Sequence, residues 1–267
     1  MTDAPVVYEV EEHICHITFN RPHVLNAMNE QMREDIGLAM ERFALDDQLF
    51  VAILHGSGDR AFSVGADLKE MSTNAGVDTY GEGVAFPVPV AESVRGIASV
   101  GACPKPVIAA IDGYCLAAGF EVALQCDIRI ATEVSTFGLP EPRRGLLADT
   151  GLHELCRVIP LGEALRLQLT GSPMSATRAY AIGLLQELAL SRDELDEVAL
   201  SVAHEICLCS PFAVQSIKRI VRGGRHLSIE DSRRLAQPYQ QAAAVHGDAK
   251  EGTLAFAEKR DPRWRSA

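Results

Sequence analysis

Two glutamates occupy positions from which a carboxyl group could transfer a proton. Glu121 falls in the apolar run of residues 118–125, which contains no basic residue, so burial there would raise its pKa unless a partner offsets the effect. Glu141 lies between Pro140 and Pro142, whose fixed φ angles restrict the backbone around it. Carboxyl groups in such surroundings supply general acids and bases to enzymes.

Two segments rich in small residues, 62–69 and 113–121, each follow a predicted strand and open a predicted helix. The first N–H groups of a helix have no partner inside it, and the helix dipole adds partial positive charge beside them. If both segments face one point, they form a two-donor pocket for a carbonyl oxygen that becomes an oxyanion, and losing one such donor typically costs about 10²–10³ in rate. Tight turn packing is the alternative explanation for either segment taken alone.

The strands that must position these segments follow from hydrophobic periodicity. Residues 14–19 alternate with the two-residue period of a strand. Residues 50–54, 106–111 and 128–131 are apolar runs typical of buried strands. The pattern of strands and helices indicates an α/β core, in which ligand sites gather at loops leading from strand ends into helices.

Helices are predicted after Asn29, over residues 118–125 and almost continuously beyond residue 150. Asn29 is a favoured N-cap residue. Residues 76–90 contain several glycines and prolines and are interpreted as a surface loop or a lid. The helix after Asn29 has apolar side chains at steps of three and four, namely Met32, Ile36, Ala39, Met40 and Phe43.

Composition excludes several classes of protein. The 267-residue chain is 47% hydrophobic and 23% charged, which is unlike a disordered or fibrous chain. Its 36 acidic and 25 basic residues give a formal net charge of −11, which argues against nucleic acid as the main partner. Eight histidines without paired spacing argue against a metal site.

The cysteines and the hydropathy pattern predict a compartment. Seven cysteines without a C-x-x-C pair indicate reduced, buried thiols and a cytoplasmic protein. The acidic N-terminal region lacks the pattern of a signal peptide. The most apolar stretch, residues 107–126, is interrupted by Asp112 and Glu121, so no membrane span is expected.

Five motifs resemble those of the enoyl-CoA hydratase/isomerase (crotonase) superfamily, and in chain order they cover nearly the whole sequence. Several ordered motifs at family spacing are more specific than any one of them. The motifs are Asn20-Arg21-Pro22 with Asn26-Ala27-Met28, residues 62–71 (FSVGADLKEM), 113–121 (GYCLAAGFE), 137–141 (FGLPE) and 256–262 (FAEKRDP).

The resemblance implies an α/β fold in which a spiral of ββα units, residues 1–195, carries the active site. A helical C-terminal region, residues 196–267, is then expected to complete homotrimers, which often pair as hexamers. The expected substrate is an acyl-CoA thioester. No metal and no separate cofactor is expected, because coenzyme A is part of the substrate.

The resemblance also assigns roles to residues of this sequence. The backbone N–H groups of Ala66 and Ala118 are the expected oxyanion donors. Glu121 and Glu141 match the two hydratase glutamates, which handle a water and a proton while H–OH adds across the Cα=Cβ bond. A non-catalytic relative that binds acyl-CoA is the alternative, and the presence of both glutamates argues against it.

Four residues, Val64, Asp67, Leu68 and Lys69, match the stretch that lines the coenzyme A entrance in relatives, with Val64 near the adenine. Lys69 is expected either to contact a coenzyme A phosphate or to be simply solvated. Lys259 is similarly placed to reach the nucleotide of a neighbouring subunit.

The chain departs from the hydratase pattern at three positions. Ala117 and Ala118 stand where typical hydratases have glycines. Asp149 lies eight residues beyond Glu141, the spacing at which dienoyl-CoA isomerases and carnitinyl-CoA dehydratase-like members place an aspartate. Asp149 is therefore a candidate third catalytic carboxylate, a contact for a polar or cationic acyl group, or an N-cap for the helix starting near residue 150.

A basic cluster in the C-terminal region is the one feature that suggests nucleic acid, because some members of the superfamily bind RNA. A solvated helix face or intersubunit salt bridges are the alternatives, and the acidity of the whole chain favours them. The cluster consists of Lys218, Arg219, Arg222 and Arg225, followed by Arg233 and Arg234.

Overall fold

The computed structural model describes residues 4–70 and 95–264, so the predicted loop at 76–90 lies outside the described residues. Within these ranges the strands form a six-stranded sheet in the order β1-β2-β3-β5-β7-β10 and a four-stranded sheet in the order β4-β6-β8-β9. The strands are β1 (Val6–Glu11), β2 (Ile14–Phe19), β3 (Val51–Gly56), β4 (Ala61–Ser63), β5 (Val107–Ile111), β6 (Tyr114–Leu116), β7 (Ile128–Thr132), β8 (Thr136–Gly138), β9 (Met174–Ser175) and β10 (Glu187–Ala189).

From β3 to β8, consecutive strands alternate between the two sheets. In the pairs β3 and β4, β5 and β6, and β7 and β8, the first strand joins the large sheet and the second joins the small one. The first strands pair in parallel with one another, as do the second strands. A chain that repeats this step with a helix in between spirals around one core, so the predicted α/β fold built from ββα units is confirmed.

Ten helices lie in the described ranges and are numbered here in chain order. They are α1 (Glu30–Leu45), α2 (Arg95–Ala102), α3 (Ala118–Gln125), α4 (Thr150–Val158), α5 (Leu161–Thr170), α6 (Ala176–Ala181), α7 (Arg192–Cys207), α8 (Pro211–Gly224), α9 (Ile229–Val245) and α10 (Gly247–Glu258).

Helix α1 begins where its sequence predicts. The Asn29 side chain accepts a hydrogen bond from the Met32 N–H at 3.1 Å, which satisfies one of the four unpaired donors of the first turn. All five predicted core residues of this helix are buried. They pack with the inward side chains of both sheets and with α3. The main core therefore lies directly beneath the region that carries Glu121 and Glu141.

Helix α7 covers the opposite face of the six-stranded sheet. Its Leu195, Ala199 and Ala203 are buried against Ile53 and Ile108 and form a second, smaller core there. The predicted domain boundary between residues 195 and 196 falls inside this helix, so the helices that project beyond the sheet begin at α8. The division into two regions itself stays a prediction.

Helices α8 to α10 follow α7 and expose large apolar side chains. Among the described residues no single helix has the length and hydropathy to cross a membrane; α7 and α8 meet the criteria only as a pair bent by 105°. The exposed apolar side chains of this region include Ile217, Val221, Ile229, Val245 and Phe256.

Strand β1 is not predicted by the sequence pattern. It pairs antiparallel with β2 at the edge of the large sheet, and three of its six residues are exposed. Its alternation of valine with tyrosine and glutamate buries little on either face; Val10, for example, is 50% exposed. Edge strands of this kind carry a weak hydrophobic signal because one side faces solvent.

Two histidines that are 39 residues apart in sequence lie side by side under α7. His16 Nδ1 is 3.1 Å from His55 Nε2, and Asp196 lies 3.7 Å from the other nitrogen of His55. Burial, together with the charges of His16 and Arg192, lowers the pKa of His55 to about 3. Sequence spacing gives no sign of this pair, because neighbouring strands bring the two residues together.

All seven cysteines are free thiols. The prediction that the thiols are buried is correct for four of them and wrong for Cys156 and Cys209, which are exposed on helix surfaces, while Cys207 is partly buried. The buried four are Cys15, Cys103, Cys115 and Cys126.

Candidate active site

The first predicted donor segment follows β4. The Met28 N–H donates to the Gly65 carbonyl at 2.7 Å, and the Asp67 N–H donates to the Met28 carbonyl at 3.0 Å. The Gly65 carbonyl and the Asp67 N–H, on either side of Ala66, therefore form the hydrogen bonds to Met28, as in a parallel β-bridge. The N–H of Ala66 consequently points away from Met28 and is available to another acceptor.

A fully buried asparagine anchors this segment. Asn26 Nδ2 donates to the carbonyls of Ser57 at 3.0 Å and Ala61 at 2.8 Å, and Asn26 Oδ1 accepts the Arg21 N–H at 2.9 Å. The Asn26 carbonyl accepts the Ser63 hydroxyl at 2.7 Å. Sequence reasoning assigned Asn26 no role beyond its motif; the structure places it at φ 54°, a conformation that asparagine tolerates well.

The second donor segment leads from β6 into α3. The Ala117 N–H donates to the Gly138 carbonyl at 2.9 Å. The Ala117 carbonyl accepts the first helical hydrogen bond, from the Glu121 N–H at 3.0 Å. Ala118 is the first residue of the helix, so its N–H lies outside the helical ladder. The helix bounds, Ala118–Gln125, are as predicted.

The two segments are in direct contact. A Cβ atom placed on Gly65 would lie 2.8 Å from the Ala118 nitrogen, so the residue preceding Ala66 touches the backbone of the second donor. A Cβ atom placed on Gly119 would lie 2.5 Å from the Ser63 carbonyl oxygen. We call residues 63–66 and 117–119 the donor segments. The structure thus brings together the backbones that carry the two predicted donors.

Glu121 projects from the first turn of α3 and is only 5% exposed. Its Oε1 accepts two backbone hydrogen bonds from the start of α4, from the Asp149 N–H at 2.7 Å and the Gly151 N–H at 2.8 Å. Burial raises the pKa of Glu121, the two N–H donors partly offset that effect, and the nearby Asp149 carboxylate adds to it. The side chain is therefore fixed through one oxygen.

Glu141 opens a 3-10 helix, Glu141–Arg144, directly after Pro140. Its Oε2 is buried and has no hydrogen-bond partner within residues 4–70 and 95–264. Burial raises the pKa of Glu141, and the charge of Glu121 raises it further, against the opposing effects of its own backbone N–H and of Arg144. The two carboxyl groups are thus electrostatic neighbours in unlike surroundings, the arrangement that separates an acid from a base.

Asp149 stands at the N-cap position of α4, but its side chain makes no capping hydrogen bond. The interpretation of Asp149 as a side-chain cap is therefore wrong: the residue is exposed, its backbone N–H donates to Glu121, and its backbone carbonyl accepts the Leu152 N–H. The carboxylate remains close enough to Glu121 to raise the pKa of that group.

The predicted coenzyme A residues lie at the outer end of the first donor segment. Val64 is partly buried, Leu68 is 46% exposed and Lys69 is exposed. Asp67 Oδ2 lies 3.1 Å from the Arg21 guanidinium. Burial alone would raise the pKa of Asp67, but hydrogen bonds from Arg21 and from backbone N–H groups lower it overall. Asp67 thus has a structural partner, and contact with coenzyme A stays a prediction for all four residues.

Lys259 and the basic cluster lie in the C-terminal helices. Lys259 is exposed and ends α10 in a left-handed conformation. Four cluster residues have acidic partners within the chain, which supports the ion-pair interpretation but places the pairs inside one subunit. The pairs are Lys218 with Asp127 at 2.6 Å, Arg222 with Asp127 at 2.9 Å, Arg225 with Glu154 at 3.2 Å, and Arg234 with Glu230.

In the part of the chain that the structure describes, no group of three or more histidine, cysteine or acidic side chains is arranged to hold a metal ion.

A ββα spiral with two touching donor segments beside one buried and one partly buried glutamate is the architecture of the crotonase superfamily. The model of the enoyl-CoA hydratase/isomerase family matches residues 9–267, and the chain belongs to that family.

Named relatives and solved structures agree with this assignment. The chain is 32% identical to (E)-benzylidenesuccinyl-CoA hydratase of Thauera aromatica, over 98% of this chain and all of that protein. It is 34% identical to carnitinyl-CoA dehydratase of Salmonella arizonae, over 94% of this chain and 95% of that one. A crystal structure of enoyl-CoA hydratase from Mycobacterium tuberculosis superposes with a TM-score of 0.88 at 36% identity, covering 99% of this chain and 100% of the other.

Proposed function

We propose that the protein is a hydro-lyase that adds water across the Cα=Cβ bond of a 2-enoyl-CoA thioester. One observation carries the proposal: the buried Glu121 and the partly buried Glu141 are electrostatic neighbours, and their hydrogen-bond environments differ. Membership in the enoyl-CoA hydratase/isomerase family supports the substrate class.

The difference between the two environments assigns the roles. Two N–H donors favour the ionised form of Glu121, so this residue is the base that takes a proton from water as the water oxygen bonds to Cβ. A buried oxygen without a donor favours the neutral form of Glu141, so this residue gives its proton to Cα. A proton then returns from Glu121 to Glu141 through solvent, and the net change is addition of one H₂O.

The donor segments supply the electrophilic half of the reaction. When hydroxide character adds at Cβ, negative charge moves through Cα onto the thioester oxygen. We propose that the N–H groups of Ala66 and Ala118 hydrogen-bond that oxygen, which stabilises the enolate. The touching backbones of Gly65 and Ala118 support a common target for the two donors.

Isosteric amide variants test the acid and base roles. Glu121→Gln and Glu141→Gln are each expected to lower kcat for crotonyl-CoA hydration by about 10²–10⁴, because an amide can neither accept nor donate the proton. Loss of the enoyl thioester absorbance measures the rate. Glu41→Gln, on the exposed side of α1, is the matched control and keeps full activity. Full activity in either site variant would remove the role assigned to that residue.

A second candidate function involves Asp149. Its carboxylate is exposed, makes no capping bond and lies near Glu121, so it could carry a proton along a dienoyl chain or contact a polar acyl group as in carnitinyl-CoA dehydratase-like enzymes. Asp149→Asn should then abolish turnover of a 3,5-dienoyl-CoA or of a carnitinyl-CoA while sparing crotonyl-CoA. The absence of turnover of both thioesters by the native protein would eliminate this candidate.

We also propose that the protein forms a homotrimer or a hexamer and works in the cytoplasm. The exposed apolar side chains of α8 to α10, such as Val245 at 86% and Phe256 at 88%, support an interface between copies. Seven free cysteines support a reducing compartment. Light scattering gives the mass, and a monomer at micromolar concentration would contradict the assembly.

A further inference from the structure

Ala117 adopts a backbone conformation that an alanine rarely adopts. Its φ is 51° and its ψ is −132°, a region that glycine reaches easily and that a Cβ atom makes costly. Residues persist in such conformations when the surrounding structure holds them there, most often at functional sites. Ala117 immediately precedes Ala118, whose N–H is one of the two proposed oxyanion donors.

Both peptide groups of Ala117 are held. Its N–H donates to the Gly138 carbonyl in β8, and its carbonyl accepts the Glu121 N–H in α3. The same residue therefore links the small sheet, the donor position and the helical turn that carries the proposed base. A rotation at Ala117 would turn the Ala118 N–H, because the two groups share one peptide plane.

The methyl group of Ala117 meets the other donor segment at a glycine. A Cβ atom on Gly65 would lie 2.5 Å from the Ala117 Cβ, closer than two such atoms can approach. Gly65 itself has φ 89°, so its bare face is turned toward the alanine. One segment therefore presents a methyl group and the other presents none, and together they fill the gap between the two donor backbones.

We propose that the Ala117 methyl group is a spacer that sets the separation and direction of the Ala66 and Ala118 N–H donors, which makes Ala117 a positioning residue. This inference rests on the proposed function. Ala117 keeps its costly conformation because its N–H and its carbonyl are both held by hydrogen bonds while its methyl group packs against Gly65. Preorganised donors need no reorganisation when charge develops on the thioester oxygen.

Ala117→Gly tests the spacer because it removes the methyl group and the conformational cost together. We expect kcat for crotonyl-CoA to fall about tenfold, less than the ~10²–10³ typical of losing a donor outright, with KM changed by less than about twofold since donor misalignment acts mainly on the transition state. The melting temperature should not fall, because relief of the positive φ offsets the greater freedom of glycine in the unfolded chain.

A chromophoric thioester separates positioning from stability. When 4-(dimethylamino)cinnamoyl-CoA binds, its absorption moves to longer wavelength in proportion to the polarisation of its carbonyl group. Ala117→Gly should bind this probe with a smaller shift than the native protein. Ala117→Ser, which keeps a Cβ atom, should recover most of the shift and most of the lost kcat.

Ala242→Gly, on an exposed position of α9, is the matched control for the substitution itself. It should lower the melting temperature, since glycine is unfavourable within a helix, and leave kcat and the spectral shift unchanged. Ala117→Gly should therefore lower kcat without lowering the melting temperature, whereas Ala242→Gly should lower the melting temperature without lowering kcat.

Three outcomes would overturn the proposal. The first is a spectral shift in Ala117→Gly as large as that of the native protein, and the second is a shift in Ala117→Ser as small as that in Ala117→Gly. The third is a fall in the melting temperature of Ala117→Gly as large as that of Ala242→Gly. Failure of the proposed function looks different. In that case the native protein does not hydrate crotonyl-CoA, whereas the probe's spectral shift still reports on the donors.

Discussion

Two clusters of charged groups lie on either side of helix α3 and differ in how completely they are paired. At the C-terminal end, both oxygens of Asp127 are occupied, by Lys218 at 2.6 Å and by Arg222 and the Val107 N–H at 2.9 and 2.8 Å. At the N-terminal end, Glu141 Oε2 is buried with no donor among the described residues. The fully paired cluster joins elements, whereas the incompletely paired one has an acceptor left over, which the proposed function assigns to the substrate.

The contrast teaches which of two sequence signals marks chemistry. The basic cluster of α8 and the isolated glutamates both stand out in the sequence. Folding neutralises the first with Asp127 and Glu154, and leaves the second short of partners. An unsatisfied buried acceptor costs about 1–3 kcal/mol, and the proposed function explains why Glu141 retains one.

Removing the central acid of the paired cluster should give the largest loss of stability. Asp127→Asn leaves the Lys218 side chain, 8% exposed, without its carboxylate. Breaking a buried pair in this way costs about 3–5 kcal/mol, and the lower end applies here because Asp127 is partly exposed. Denaturant unfolding measures the loss. Activity per folded molecule should stay native, and a selective fall in kcat would place this cluster in the catalytic machinery.

His55, which lies beside His16, extends the comparison to a buried titratable group with a lowered pKa. The unfolded chain binds a proton at His55 below about pH 6.5, but the native protein does so only near its pKa of about 3. Stability contributed by neutral His55 is therefore present above pH 6.5 and is lost as the pH falls. Between pH 7 and pH 5 the loss is roughly 2 kcal/mol.

Unfolding at both pH values, in the native protein and in His55→Gln, isolates this contribution. The variant should be less stable than the native protein at pH 7 and should show the smaller drop between pH 7 and pH 5. Asp196, Arg192 and Glu11 are the charged groups around the pair, and they are unchanged in the variant. Equal pH dependence in both proteins would contradict the lowered pKa.

The smallest predicted effect is the loss in free energy of unfolding that Glu141 causes in the native protein. Because burial raises the pKa of Glu141 in the native state, its contribution is fully present below the unfolded pKa and is lost as the pH rises through the native value. Glu141→Gln should therefore be more stable than the native protein at pH 8 and similar to it at pH 4.

Glu251 provides the comparison of opposite sign. A hydrogen bond from Arg260 and the Arg263 N–H lower its pKa to about 2. Glu251→Gln should lose stability at pH 8 relative to the native protein. Thermal melts of both variants across this pH range test the pair, and a change of the same sign in both would refute the distinction between the two carboxyl groups.

Local sequence patterns are sufficient for much of the fold. The steps of three and four residues that place Met32, Ile36 and Phe43 on one face need no tertiary information, and α3 begins and ends where its apolar run does. Strand β1 and the contact between His16 and His55 depend on pairing between strands, which a single-sequence pattern does not encode.

The site was predictable in its residue types and not in its contacts. The setting of Glu121 in an apolar run predicts a raised pKa, and the structure agrees in direction. The preference of aspartate for N-cap positions led to the wrong interpretation of Asp149, because the competing acceptor, Glu121, comes from a helix 28 residues earlier. The methyl group of Ala117 gains meaning only beside Gly65, which lies on a different unit of the spiral.

Glu121 is held by two main-chain amides rather than by side chains, and this has a consequence for how the family can diversify. The N–H at position 149 is present with any residue except proline, so the aspartate could be exchanged without loosening the grip on the glutamate. Under the proposed function, a surface position can therefore be retuned for new acyl groups while the proposed proton-handling unit keeps its alignment, which separates substrate choice from reactivity.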